Sequence, residues 1–113
     1  MSFKKIVESY RDEIIRSTQE LIRIRSVREE GSDTMPFGKG MSDALEYVLN
    51  LAGSMGFTVK NIDGYCGYAE YGDGDLYVGI LTHVDTCPEG ELWAGPPFEG
   101  RLVTNRVYAR GTM

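Results

Sequence analysis

Sulfur, proline and histidine are scarce in this chain. Its 113 residues include two cysteines, four prolines and a single histidine. Two cysteines are too few for a disulfide-stapled scaffold, and Cys66 and Cys87 do not form a C-x-x-C pair. They read as free thiols of a cytoplasmic protein, with Cys66 buried and Cys87 a small packing residue. Long apolar runs are missing as well. No stretch approaches the roughly 18 residues of a membrane span. Residues 1–10 interleave Lys4, Lys5 and Glu8 with isolated apolar side chains and lack the continuous apolar stretch of a secretion signal. Basic charge is the minority, with 12 Lys and Arg against 17 Asp and Glu and a net charge of −5. With no basic stripe, neither nucleic acid nor an anionic membrane is expected as a partner. There is no internal repeat, no low-complexity linker and no phosphate cradle, since Gly38-Lys39-Gly40 lacks the G-x-x-x-x-G-K-[ST] spacing.

The residues that are present suit one small α/β domain. Phe3, Ile6, Val7, Tyr10, Ile14 and Leu21 recur at helical spacing, which predicts a helix from about residue 3 to Ile24, capped by Ser2. Gly31, Ser32, Pro36, Gly38 and Gly40 mark a loop. A second helix is expected from about Met41 to Met55, with Ala44, Leu45, Val48, Ala52 and Met55 as its apolar stripe. Gly56 stands where a left-handed cap belongs. Residues 57–62 and 65–71 alternate as strands around the turn Asp63-Gly64. Gly72-Asp73-Gly74-Asp75 predicts a further hairpin connection. It leads into Leu76-Tyr77-Val78-Gly79-Ile80-Leu81, apolar enough for a strand covered on both faces. Within that strand Gly79 suggests a close neighbouring backbone. Arg101-Leu102-Val103 and Arg106-Val107-Tyr108-Ala109 flank Thr104-Asn105 as a last hairpin.

The candidate chemistry lies at Leu81-Thr82-His83-Val84-Asp85. The lone histidine sits at the carboxyl end of the most apolar strand, where α/β sheets place their ligands. His83 and Asp85 are two positions apart, so an extended backbone turns both side chains to one face. A carboxylate beside an imidazole fixes its tautomer and raises its basicity, as a metal ligand requires. An ordinary strand-end histidine next to a turn aspartate has the same local spelling.

The wider order of motifs separates these readings. After Asp85 come Pro88-Glu89-Gly90, Trp93, Pro96-Pro97-Phe98 and Tyr108-Ala109-Arg110-Gly111. This order resembles the dinuclear zinc metallopeptidases of the aminoacylase/carboxypeptidase type. Pro36-Phe37-Gly38-Lys39-Gly40 running into Ala44-Leu45, together with residues 63–72, resembles the bacterial Xaa-His, carnosine-cleaving dipeptidase branch. The resemblance implies the N-terminal part of a three-layer αβα catalytic domain in a cytoplasmic enzyme. It also implies a dipeptide substrate and two zinc ions in the complete enzyme. It makes His83 a ligand to one zinc. Asp85 becomes the catalytic-site carboxylate that steers the ring without binding metal. A bridging Asp, a Glu-Glu pair, another Asp and a final His are expected further along a longer chain, the bridging Asp directly after Arg110-Gly-Thr-Met113. The remainder of the catalytic domain and the lid domain are likewise expected beyond residues 1–113.

With one histidine and no thiolate pair, these residues alone should bind zinc weakly or not at all. Two alternatives stand beside the dipeptidase. One is a deacylase or other amidohydrolase of the same family; the other is a non-catalytic fragment that needs its missing half. Arg110 is expected to be structural, and Trp93 and Phe98 to pack a loop. Glu89 and Glu91 read as a solvated acidic loop. A sheet cut partway leaves an unpaired edge, so self-association is expected.

Overall fold

A computed structural model describes residues 2–112. The chain divides into two compact units. One comprises Arg25–Pro88; the other joins the two ends of the chain, up to Ile24 and from Glu89 onward.

In the unit built from the chain ends, the expected single helix is two: α1, Phe3–Ser9, and α2, Arg11–Ile22. Ser2 caps α1 as expected, its hydroxyl accepting from the Lys5 amide at 3.4 Å. At the interruption Ser9 Oγ donates to the Ile6 carbonyl at 2.6 Å, a local back-bond of the kind serines make within helices. The next amide, Tyr10, donates to Val7 at 3.1 Å, a tight last turn. The apolar stripe is present but uncovered: Phe3 is 81% exposed, and Ile6, Val7, Tyr10 and Ile14 are also exposed.

The lower half of α2 is tied to the other end of the chain. Gln19 Nε2 donates to the Gly100 carbonyl at 2.8 Å and Arg23 Nε to the Glu99 carbonyl at 3.2 Å. Gly100, at φ +69°, lies so close that a Cβ there would stand 3.3 Å from Gln19 Cα. The last hairpin forms as the sequence implies. Strands β3, Arg101–Val103, and β4, Arg106–Tyr108, pair antiparallel with Leu102 opposite Val107. Thr104 takes the positive φ of the turn.

The second unit is organised around α3, Lys39–Ser54, and an antiparallel pair, β1, Thr58–Ile62, with β2, Cys66–Glu70. Gly56 closes α3 at φ +94°. Its amide bonds to Gly53 and the Phe57 amide to Ala52, both at 3.1 Å. These are the two bonds of a Schellman cap, which satisfy carbonyls that the helix end would leave orphaned. Asp63 and Gly64, at φ 53° and 76°, form the turn between β1 and β2, and Asn61 Oδ1 accepts from the Gly64 amide at 2.8 Å. The sheet packs on α3 through Val59 and Gly67. A Cβ on Gly67 would come within 2.8 Å of Leu49 Cδ1. Ala44 and Leu49 are the buried side chains of α3.

Several expectations fail downstream of β2. The Gly72–Asp75 connection opens no hairpin, and residues 76–81 belong to no strand. Leu76, Tyr77, Val78, Ile80 and Leu81 are 89–101% exposed, and nothing lies within 4 Å of a Cβ at Gly79. A strand that is apolar on both faces forms only with paired neighbours and cover on each side. Among the described residues nothing pairs with this segment. Cys66 is exposed rather than buried, because β2 turns Gly67 toward α3 and so turns Cys66 outward. The described residues therefore form a mixed α/β structure of three helices and two small antiparallel sheets. None of their helices is long and apolar enough to cross a membrane.

Candidate metal-ligating site

The residues from Leu81 to Pro88 form no regular element, so local bonds decide where the chemistry points. The anchor is Ser26, 3% exposed, with Val27 beside it at 6%. Its hydroxyl donates to the Val84 carbonyl at 2.7 Å. Its own carbonyl accepts from the Thr86 amide at 3.0 Å. The two bonds grip the backbone on either side of Asp85. The sequence reading overlooked Ser26. The only available signal was a small polar residue between the end of a helical pattern and a loop, which singles out nothing without the fold.

On this clamped backbone His83 and Asp85 face each other. His83 Nδ1 lies 2.9 Å from Asp85 Oδ1 and 3.2 Å from the Asp85 carbonyl oxygen. A carboxylate and a carbonyl are both acceptors, so Nδ1 must carry the proton and donate. In the neutral ring the remaining lone pair then sits on Nε2, the atom a metal would take. The side chains are 79% and 53% exposed. A contact so solvated contributes only about 0–1 kcal/mol to stability even when the ring is charged. Its consequence is orientation of the ring. The expected side-chain pairing is thus formed, although the strand expected to deliver it is not.

The neighbouring candidates take separate places. Thr86 Oγ1 is buried with no hydrogen-bond partner, an orphaned polar atom one residue from Asp85. Cys87 is an exposed thiol outside any disulfide. Asp63 occupies the β1–β2 turn. In the other unit, Trp93 donates from Nε1 to the Glu89 carbonyl at 2.6 Å and closes its own loop. The Arg110 amide donates to Pro97 at 2.6 Å, and the Arg101 guanidinium lies 5.4 Å from the centre of the Tyr108 ring.

These residues do not complete a zinc site. Catalytic zinc takes about three protein ligands and an open position, and among the described residues no group of three or more His, Cys, Asp or Glu side chains is placed to hold a metal. What they provide is one oriented imidazole.

A carboxylate on one ring nitrogen is a pairing that orients a histidine, and sequence comparison finds similar chains. The chain is 40% identical, over its whole length, to a Bacillus subtilis (strain 168) protein named "Putative dipeptidase YtjP". It is 38% identical, over 98% of its length, to a "Putative dipeptidase" of Staphylococcus aureus (strain USA300). It spans about a quarter of the length of these relatives, 25% and 24%. No protein-family model matches it.

Proposed function

We propose that this chain is the N-terminal part of a zinc-dependent dipeptidase of the dinuclear metallopeptidase family, in its Xaa-His branch and three-layer αβα fold. The enzyme would act in the cytoplasm on dipeptides with a free N-terminus. The observation that carries the reading is the 2.9 Å contact of His83 Nδ1 with Asp85 Oδ1, because it turns Nε2 into a directed donor. The names of the relatives, to which the chain is 38–40% identical over 98–100% of its own length, support the substrate class. Zinc, when bound, supplies activation of water toward a peptide carbonyl. Within this chain His83 would be a ligand, Asp85 would fix its tautomer, and Ser26 would hold the backbone that carries both.

A second reading follows from the lack, among the described residues, of any three-residue ligand group. By itself the 113-residue chain should neither bind zinc tightly nor hydrolyse peptides. Both readings are tested by incubating the chain with Zn²⁺, Co²⁺ or Mn²⁺ and a set of Xaa-His dipeptides, other dipeptides and N-acyl amino acids, with zinc affinity followed separately by calorimetry. The expected result is weak zinc binding lost in His83→Ala, and no turnover. Turnover abolished by His83→Ala would overturn the inactive-part reading while upholding the metal ligand. Hydrolysis confined to N-acyl amino acids would replace the dipeptidase with a deacylase. Zinc binding unaffected by His83→Ala would remove His83 from the proposal.

A further inference from the structure

Two aspartates of this chain, Asp63 and Asp73, stand directly before a glycine, and no asparagine does. The fold treats the two pairs in opposite ways. Asp63-Gly64 is the tight turn between β1 and β2. The Gly64 amide donates to Asn61 Oδ1 at 2.8 Å, and the Tyr65 amide after it donates to the Ile62 carbonyl at 3.0 Å. Gly64 is also crowded, since a Cβ there would stand 3.0 Å from Pro36 Cδ and 3.1 Å from the Thr34 carbonyl oxygen. Asp73-Gly74 lies past the end of β2 in no regular element, and both residues are exposed. Among the described residues nothing bonds to the Asp73 carboxylate or to the Gly74 amide. The glycines flanking Asp73 have open space around them. Nothing lies within 4 Å of a Cβ at Gly72, and only the Leu76 carbonyl oxygen, at 3.8 Å, comes near one at Gly74.

We infer that Asp73 is a site of spontaneous covalent modification, converting to isoaspartate through a cyclic imide, and that the fold spares Asp63. The inference stands apart from the hydrolytic role and holds with or without it. The only co-reactant is water. The Gly74 amide nitrogen forms a bond to Asp73 Cγ, and the carboxyl hydroxyl leaves with the amide proton as one water molecule. A water molecule then opens the five-membered ring. Opening at Cγ restores aspartate. Opening at the former main-chain carbonyl yields isoaspartate. One water is lost and one regained, so the mass is unchanged and nothing is oxidised or reduced. The product routes its backbone through Cβ and Cγ, one methylene longer, and carries the former main-chain carboxyl as its side group.

Geometry decides between the two sites. Ring closure rotates the aspartate backbone until the next nitrogen reaches Cγ, and that nitrogen must be free to attack. A following glycine puts no Cβ in the way, so both pairs are chemically competent. At Asp63 the nitrogen is held by Asn61. A hydrogen bond of ordinary net strength lowers the free population roughly twofold to tenfold, and the crowding around Gly64 resists the rotation further. At Asp73 neither restraint exists. Two carboxylates within Gly72–Asp75 also keep this connection in water in a longer chain, because aspartate is rarely buried without a partner.

Ageing the 113-residue chain in warm neutral buffer is the test. Asp-N protease cuts before aspartate but not before isoaspartate, and electron-transfer mass spectrometry locates the isomer. Isoaspartate should accumulate at residue 73 about threefold or more faster than at residue 63. In guanidinium chloride the two rates should converge, because the difference belongs to the fold. Gly74→Ala, which fits the open space there, should slow the change at residue 73 severalfold. Asn61→Ala should speed it at residue 63 and leave residue 73 as it was. A native ratio below about threefold, or one that persists in denaturant, overturns the inference. So does ageing at residue 73 that Gly74→Ala leaves unaltered. Asn61→Ala without effect at residue 63 overturns the protection assigned to that bond.

Discussion

Replacing Ser26 by Ala should loosen the segment that carries His83 and Asp85 while leaving the rest of its unit intact. Ser26 is 3% exposed and donates to the Val84 carbonyl at 2.7 Å. The alanine removes that donor without adding a clash, so the acceptor it served loses its partner. The cost of such a loss is about 1–2 kcal/mol, which in local opening is a factor of roughly 5–30. The reporter is the Thr86 amide, which donates to the Ser26 carbonyl at 3.0 Å and survives the substitution as a group. In native-state hydrogen exchange it should exchange roughly 5–30-fold faster in Ser26→Ala. Amides in the middle of α3 should be unchanged, because α3 takes no bond from the Ser26 hydroxyl. Unchanged protection at Thr86 would refute the clamp. Equal loss across α3 would show that Ser26 serves the whole unit rather than this segment.

Other consequences can be measured directly. Asp85→Ala should change urea-derived stability by less than about 1 kcal/mol, since its contact with His83 is solvated, and a loss of more than about 2 kcal/mol would make Asp85 a structural residue. Gly67→Ala should cost about 1–3 kcal/mol by overpacking, because the new Cβ would lie 2.8 Å from Leu49 Cδ1 and 2.9 Å from the Lys60 carbonyl; thermal unfolding reads this. Gly56→Ala should cost about 1–2 kcal/mol, since φ +94° forces an L-residue into the left-handed region, and denaturant unfolding checks it.

The parts of the fold that were legible in the sequence are those whose determinants are local. Ser2, Gly56 and Asp63-Gly64 cap or turn the chain through their own side chains or φ angles, and each acts where the sequence placed it. The pattern Arg101–Val103 and Arg106–Tyr108 closes on its own two-residue turn for the same reason. The sequence was misleading wherever partners matter. Residues 76–81 have every local property of a core strand, yet a strand is defined by its neighbours, and none of the described residues supplies them. Tyr10 fits a helical stripe, but it stands between α1 and α2 with φ −96° and ψ 4°, a departure from helical geometry that spacing alone does not reveal. The pairing of His83 with Asp85 was legible because their spacing alone brings the side chains together. Ser26 was not, because its bonds to Val84 and Thr86 cross 58 and 60 positions of sequence.

The tautomer of His83 is the most direct test of the proposed metal-ligand role. Nitrogen-15 NMR of the imidazole, recorded at a pH where the ring is neutral, should find the proton on Nδ1 and a bare Nε2 whose resonance moves when Zn²⁺ is added. In Asp85→Ala that preference should disappear. A ring protonated on Nε2 in the parent chain, with neither nitrogen responding to zinc, would contradict the role assigned to His83 and Asp85.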